Sequence, residues 1–193
     1  VSDVRPNPTK VMRSPEFTGL VSNSEVGAEL NAPDIAVIEL DESAEFSSAP
    51  TSEFDTSPVN SGDLITFVGF GLTSDTDKTR PVRKFHVSKV SSPQELKQAF
   101  DLYGITEAEV NFSLYFGTLG ILVGKNYANL GSGDSGGPVF RNQKGIPALV
   151  GVNAFTFCPD DKEDCEATSN SFFNRINVGG PYHLGEWLTS VLK

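Results

Sequence analysis

Basic residues, cysteine, histidine and long apolar runs are all scarce in this chain of 193 residues. Lys and Arg total 15 against 25 Asp and Glu, giving a net charge of −10 and a sequence pI near 4.6. A surplus of carboxylates repels polyanions, so neither nucleic acid nor an anionic membrane is an expected partner, whereas cationic substrates are tolerated. No uninterrupted apolar stretch approaches the roughly 18 to 20 residues that cross a bilayer as a helix. The first residues, Val1-Ser2-Asp3-Val4-Arg5-Pro6, lack the basic start and apolar centre of a signal peptide. The two cysteines, Cys158 and Cys165, lie seven residues apart in a loop thick with Asp and Glu. One local disulfide is the expectation, and the alternative is two free thiols in a reducing compartment.

What is present points to strands. With 38% hydrophobic and 21% charged residues, 18 Gly and 12 Pro, the composition excludes collagen, coiled coil and bulk disorder and leaves a turn-rich globular protein. Apolar runs are short, rich in Val, Ile and Phe, and punctuated by Gly, Pro, Asn and Ser, the habit of antiparallel β proteins. Strands are expected at 9–12, 35–40, 64–70, 82–90, 109–115, 138–140, 148–154 and 171–176. Only two helices stand out. Ser92-Pro93-Gln94-Glu95 is a capping-box start with Pro at the first helical position, continued by Leu96, Ala99 and Phe100 to about residue 104. In the second, from 181 to 193, Leu184, Trp187, Leu188, Val191 and Leu192 share one face of a 3.6-residue period. Between 41 and 63 the composition shifts to Ser, Thr, Pro, Glu and Asp, which reads as an exposed connector between two substructures. No internal repeat is present, which sets solenoids and propellers aside.

The most specific segment is Gly131-Ser132-Gly133-Asp134-Ser135-Gly136-Gly137-Pro138-Val139. A serine between glycines on a tight turn exposes its hydroxyl, and neighbouring backbone N–H groups can point at a developing oxyanion. The string resembles the nucleophile loop of the chymotrypsin/trypsin-like serine proteases. Ala32-Pro33-Asp34-Ile35-Ala36-Val37-Ile38-Glu39-Leu40, with Asp34 101 residues before Ser135, resembles the segment carrying that family's catalytic aspartate. Gly69-Phe70-Gly71 is similar to the family's Gly-aromatic-Gly at the start of the second barrel, and Gly151-Val152-Asn153-Ala154-Phe155 to its substrate-lining strand. The terminal Trp187-Leu188 segment is similar to its closing helix.

The resemblance implies an all-β, trypsin-like double β-barrel: the end of the first barrel at 1–45, an inter-barrel connector at 46–61, and a complete second barrel with its C-terminal helix at 62–193. It implies a serine endopeptidase working on protein or peptide substrates, with Ser135 as nucleophile and Asp34 orienting and electrostatically supporting the base. Gly133 and Ser135 would supply the oxyanion-hole N–H groups, and Asp134 the carboxylate that pairs with a freed N-terminal ammonium. Asn129, six residues before the nucleophile, would floor the substrate pocket, with Ala154, Phe155, Thr156 and Ser171 along its sides. An uncharged Asn129 does not predict a strong Arg/Lys preference; polar or medium apolar side chains are expected instead. No cofactor and no metal are implied, and the setting is secreted or extracytoplasmic.

The departures are as informative. The family's general base is a histidine roughly 45 residues before the aspartate, yet only 33 residues precede Asp34. His86 and His183 both follow it, in segments the family uses as framework. The base is therefore expected on an N-terminal segment, in this chain's precursor or in a second chain completing the first barrel; the alternative is an inactive pseudoprotease kept as a binding or regulatory module. Val1 lies too close to Asp34 to serve as the activation terminus. No cysteine near Gly131 ties the serine loop to the substrate-lining loop. Other motifs fail. Gly120-Ile121-Leu122-Val123-Gly124-Lys125-Asn126 loosely resembles a phosphate-binding loop but has the wrong glycine spacing and lacks the closing hydroxyl. The acidic run Asp160, Asp161, Glu163, Asp164, Glu166 lacks the ordered alternation of a calcium loop and reads as a solvated loop. Asn111-Phe112-Ser113 is a glycosylation sequon inside a predicted strand.

Overall fold

The computed structural model describes residues 8–14, 35–40, 53–71, 83–102, 115–119, 121–123, 126–128, 130–157, 170–180 and 183–192. Strand β1 (Pro8–Arg13) pairs antiparallel with β2 (Ala36–Leu40), and the Ser14 N–H closes the pair on the Ile35 carbonyl at 3.1 Å. The main sheet has seven strands. Its order is β5 (Lys84–Lys89), β4 (Leu64–Gly69), β9 (Pro138–Gln143), β10 (Ile146–Phe157), β11 (Asn170–Arg175) and β6 (Tyr115–Leu119), with β3 (Glu53–Phe54) added to β10 in parallel. A hairpin, β7 (Ile121–Val123) and β8 (Asn126–Ala128), stands apart from it.

Side-chain alternation explains why this sheet has two apolar faces. Ile65 and Phe67 of β4 point the same way as Val139, Val150 and Phe173, and with Val59 and Val90 they form the buried cluster on one face. The opposite face of β10 and β11 presents Phe172, which packs with Ile176, Ile35, Leu96 and Phe100 of α1 (Pro93–Leu102), and Leu184 and Leu188 of α2 (Leu184–Val191). The Phe100 and Phe172 ring centroids are 5.0 Å apart. Helix α1 begins as its sequence predicts: Glu95 accepts from the Ser92 N–H at 2.7 Å, and the Ser92 hydroxyl accepts from the Glu95 N–H at 3.2 Å. Among the described residues, no helix is long and apolar enough to cross a membrane.

Several expectations are corrected. The second barrel is not complete as a closed ladder: β5 and β6 lie near one another, but among the described residues no pairing joins them. Of the strand expected at 109–115, residues 109–114 lie outside the described set, as does the sequon, and Tyr115 begins the strand Tyr115–Leu119. Within the stretch that loosely resembles a phosphate loop, Ile121–Val123 pairs antiparallel with Asn126–Ala128, and Gly120, Gly124 and Lys125 lie outside the described residues. The late part of the connector is not simply exposed. Asp55 and Val59 are buried, and β3 is hydrogen-bonded into the sheet. Cys158, Cys165 and the acidic run between 160 and 166 lie outside the described residues.

Asp55 is the anchor of that segment. Its carboxylate accepts from the guanidinium of Arg141 on β9, with Nε at 2.7 Å, and from the Gln143 amide, while Ser57 donates both its N–H and its hydroxyl. Arg141 also reaches Asp63 at 3.0 Å and the Pro58 carbonyl at 2.9 Å. Burial alone raises the Asp55 pKa, but the hydrogen bonds from Ser57 and Arg141 outweigh it, and the carboxyl titrates below its ordinary value of 3.8. A depressed folded-state pKa means that this stabilisation is fully present above the unfolded value and disappears as pH falls through the lower folded value. The melting temperature should therefore hold from pH 6 to about 4 and drop below that, and Arg141→Gln should make the drop shallower. An equally steep acid limb in Arg141→Gln would show that other carboxylates control it.

Candidate active site

The residues from Gly131 to Gly137 form two consecutive turns that present Ser135. The Asp134 N–H donates to the Gly131 carbonyl at 3.1 Å, and the Gly137 N–H donates to the Asp134 carbonyl at 3.0 Å. Gly133 sits at φ +93°, in the left-handed region that an L side chain resists. The two neighbours at the apex point opposite ways: Asp134 is 8% exposed, and Ser135 lies in the open.

Asp134 is held inward by a cradle. One carboxylate oxygen accepts from the Gly71 N–H at 2.6 Å and the other from the Gly131 N–H at 2.8 Å. The cradle explains Gly69-Phe70-Gly71. A Cβ on Gly69 would overlap the Asp134 carboxylate, and one on Gly71 would lie 2.7 Å from both Asp134 Cγ and the Ser132 carbonyl oxygen. Only bare backbone fits there. Gly71→Ala should therefore destabilise the fold by about 2 kcal/mol through overpacking, read by thermal denaturation. It should cost less in an Asp134→Ala background, with a residue left by the Ser132 carbonyl. Equal costs in both backgrounds would show that the carboxylate does not set the fit. The resemblance gives Asp134 the role of pairing with a freed ammonium, which Val1 was not expected to supply; among the described residues its carboxylate oxygens are bonded by these two peptide N–H groups.

Asn153, on β10, is a positioning residue that the sequence reading passed over. Its amide donates to the Asp134 carbonyl at 3.0 Å and to the Val68 carbonyl at 3.2 Å. Its backbone exchanges bonds with the same loop, accepting from Gly136 at 2.9 Å and donating to Gly137 at 2.8 Å. A buried amide in the otherwise apolar run from Leu149 to Phe155 is the signal that could have found it.

The Ser135 hydroxyl donates to the Ala154 carbonyl at 3.2 Å. Among the described residues, the N–H groups of Gly133 and Ser135 meet no backbone acceptor, the state required of donors kept for an incoming oxygen. Thr156 and Ser171, expected beside the pocket, are direct cross-strand partners. Phe155 stacks on Phe172 with centroids 4.8 Å apart, on the helix-covered side. Asp34 and Asn129 lie outside the described residues. Neither histidine is bonded to Ser135. His86 faces Phe67 across β5 and β4, with Nε2 buried and without a partner among the described residues, and burial pushes its pKa below the ordinary value. His183 lies exposed at the start of α2, its Nδ1 3.6 Å from Glu186.

The family model of trypsin matches residues 10–177, a span that takes in most of β1, all of β2 and the Ser135 loop. The chain belongs to the trypsin family. Its mostly stranded architecture and small terminal helix are consistent with a trypsin domain, and the match supports a serine-protease-type function and protein-substrate binding at family level. No curated protein matches the sequence.

Proposed function

We propose that the chain is the serine-bearing part of an endopeptidase that cleaves peptide bonds through an acyl-enzyme on Ser135. The observation that carries this is the apex itself: an exposed hydroxyl beside two N–H groups that meet no backbone acceptor among the described residues, on a turn anchored by Asp134 and Asn153. In the first step Oγ bonds to the carbonyl carbon while a base takes its proton. The C–N bond then breaks, and the proton passes to the departing amine. Gly133 and Ser135 N–H hold the negative charge on the carbonyl oxygen between those events. Asp34 orients the base, and the base is a histidine contributed from outside these 193 residues, because neither His86 nor His183 is bonded to Ser135. An extracytoplasmic setting and a Cys158–Cys165 disulfide belong to the same proposal.

The test is covalent labelling by a small fluorophosphonate followed by peptide mapping, with Ser135 as the expected adduct. A second reading, an inactive binding module, is favoured by one observation: Ser135 Oγ is directed to the Ala154 carbonyl rather than to an imidazole. Absence of labelling in protein made from the full reading frame would establish that second reading.

A further inference from the structure

Gly71 poses a mechanical problem for the serine turn. Its N–H must face the Asp134 carboxylate at 2.6 Å, yet it has no side chain to hold it in that orientation, and none can be added, because a Cβ there would lie 2.7 Å from Asp134 Cγ and from the Ser132 carbonyl oxygen. Glycine backbone turns more freely than that of any other residue. The orientation has to be imposed from outside.

Lys84 is placed to impose it. It opens the edge strand β5 directly opposite Gly69 in the ladder with β4. Strand alternation puts it on the side of His86 and Ser88, less exposed than its neighbours Arg83 and Phe85. From there its ammonium donates to the Gly71 carbonyl at 2.6 Å. Gly71 is buried, so that carbonyl would be costly to leave without a donor. Both polar groups of Gly71 are thus held, the N–H by a carboxylate and the C=O by an ammonium, each through a charge-assisted hydrogen bond.

The charge counts as well as the bond. Asp134 is 8% exposed, and among the described residues no ion pair engages its carboxylate, whose oxygens are met by peptide N–H groups. One of those oxygens rests against Gly69, the residue that faces Lys84: a Cβ on Gly69 would fall 1.9 Å from it. Lys84 therefore brings positive charge to the cradle at one residue's remove, without a contact ion pair. Away from bulk water, a chain of hydrogen bonds that ends in a cation strengthens each of its members.

We propose that Lys84 is a positioning residue for the nucleophile: acting through Gly71 and Asp134, it fixes the turn that carries Ser135 and the N–H groups of Gly133 and Ser135. This rests on the endopeptidase reading and adds to it an internal cation that keeps the serine turn in working order.

The experiment measures saturation kinetics of Ser135 labelling by a small fluorophosphonate, in protein from the full reading frame. Lys84→Met should lower the limiting rate constant about tenfold, within the range of coupling between members of one hydrogen-bond network, while the final labelled fraction stays near that of the unaltered protein. Lys84→Gln should behave in the same way, and Lys84→Arg, which keeps the charge and the donors, should recover most of the rate. In an Asp134→Ala background, where the cradle is already lost, Lys84→Met should change the rate less than about twofold. Unaltered rate constants in the Met and Gln variants, a fall in labelled fraction alone, an Arg variant as slow as Met, or an equal loss in both backgrounds would each overturn the role of Lys84 and leave the endopeptidase reading intact. No labelling of the unaltered protein would overturn both.

Discussion

Fluorophosphonate labelling of Ser135 should be slow in the 193-residue chain and at least about a thousandfold faster in protein from the full reading frame, since loss of one triad member costs several powers of ten. The physical reason is the proton. A serine hydroxyl at neutral pH is a weak nucleophile until a base takes its proton in the transition state, and here the hydroxyl is bonded to a peptide carbonyl, which cannot accept that proton. With Gly133 and Ser135 N–H as the proposed oxyanion donors, the residual rate should be measurable rather than zero. Ser135→Ala should remove labelling in both proteins, and His86→Ala and His183→Ala should leave the slow rate of the isolated chain unchanged. Rapid labelling of the isolated chain that disappears in His86→Ala would show that the buried imidazole on β5 reaches the serine after rearrangement, and would end the proposal of an external base.

The largest stability effect should come from Arg141→Ala, at about 3 kcal/mol, the lower end of the cost of breaking a buried ion pair from one side. For a chain of this size that corresponds to a fall in melting temperature of about 10 °C. The cost arises because Asp55 stays buried while losing its forked donor, with Ser57 and Gln143 still bonded to it but unable to neutralise it. Arg141→Lys should recover only part, because an ammonium cannot serve Asp55, Asp63 and the Pro58 carbonyl together. Replacing both partners, as in Asp55→Leu with Arg141→Met, should recover more than either single change. A loss below about 0.5 kcal/mol in Arg141→Ala would place the pair among surface bridges of little consequence.

The serine turn was legible in the sequence because its chemistry demands short residues in a fixed order, and the backbone angles at Gly133 and the carboxylate cradle at Gly71 are the physical form of that demand. Helix α1 was legible for a similar reason, since a capping box is a purely local arrangement between Ser92 and Glu95. Strands of two or three residues such as β3, β7 and β8 were not, because so few positions carry no periodicity. The burial of Asp55 was hidden for another reason. Its partner Arg141 lies 86 residues away, and a run of Ser, Pro, Asp and Thr looks like a solvated connector until the tertiary contact is known. The role of Asn153 was equally non-local: it is set by the loop that folds back over it.

The irregularity in β10 has a consequence for how far this strand can be altered. Asn153 lies opposite Phe173 and Phe155 opposite Phe172, so Ala154 is an inserted residue with no counterpart on β11. An uninterrupted strand would keep residues 153 and 155 on one side, but the insertion reverses the parity of everything that follows. Phe155 is thereby sent to the helix-covered side, and Thr156 to the side where it meets Leu130. Pairing Ala154 itself with Phe172 in a regular ladder would exchange the destinations of Phe155 and Thr156, sending a hydroxyl to the helix-covered side and an aromatic ring to the Leu130 side, whereas deleting Ala154 would remove the bulge and leave Phe155 opposite Phe172 and Thr156 opposite Ser171. The unpaired position at Ala154 is thus as much a determinant of where these side chains go as the identity of any residue in the strand.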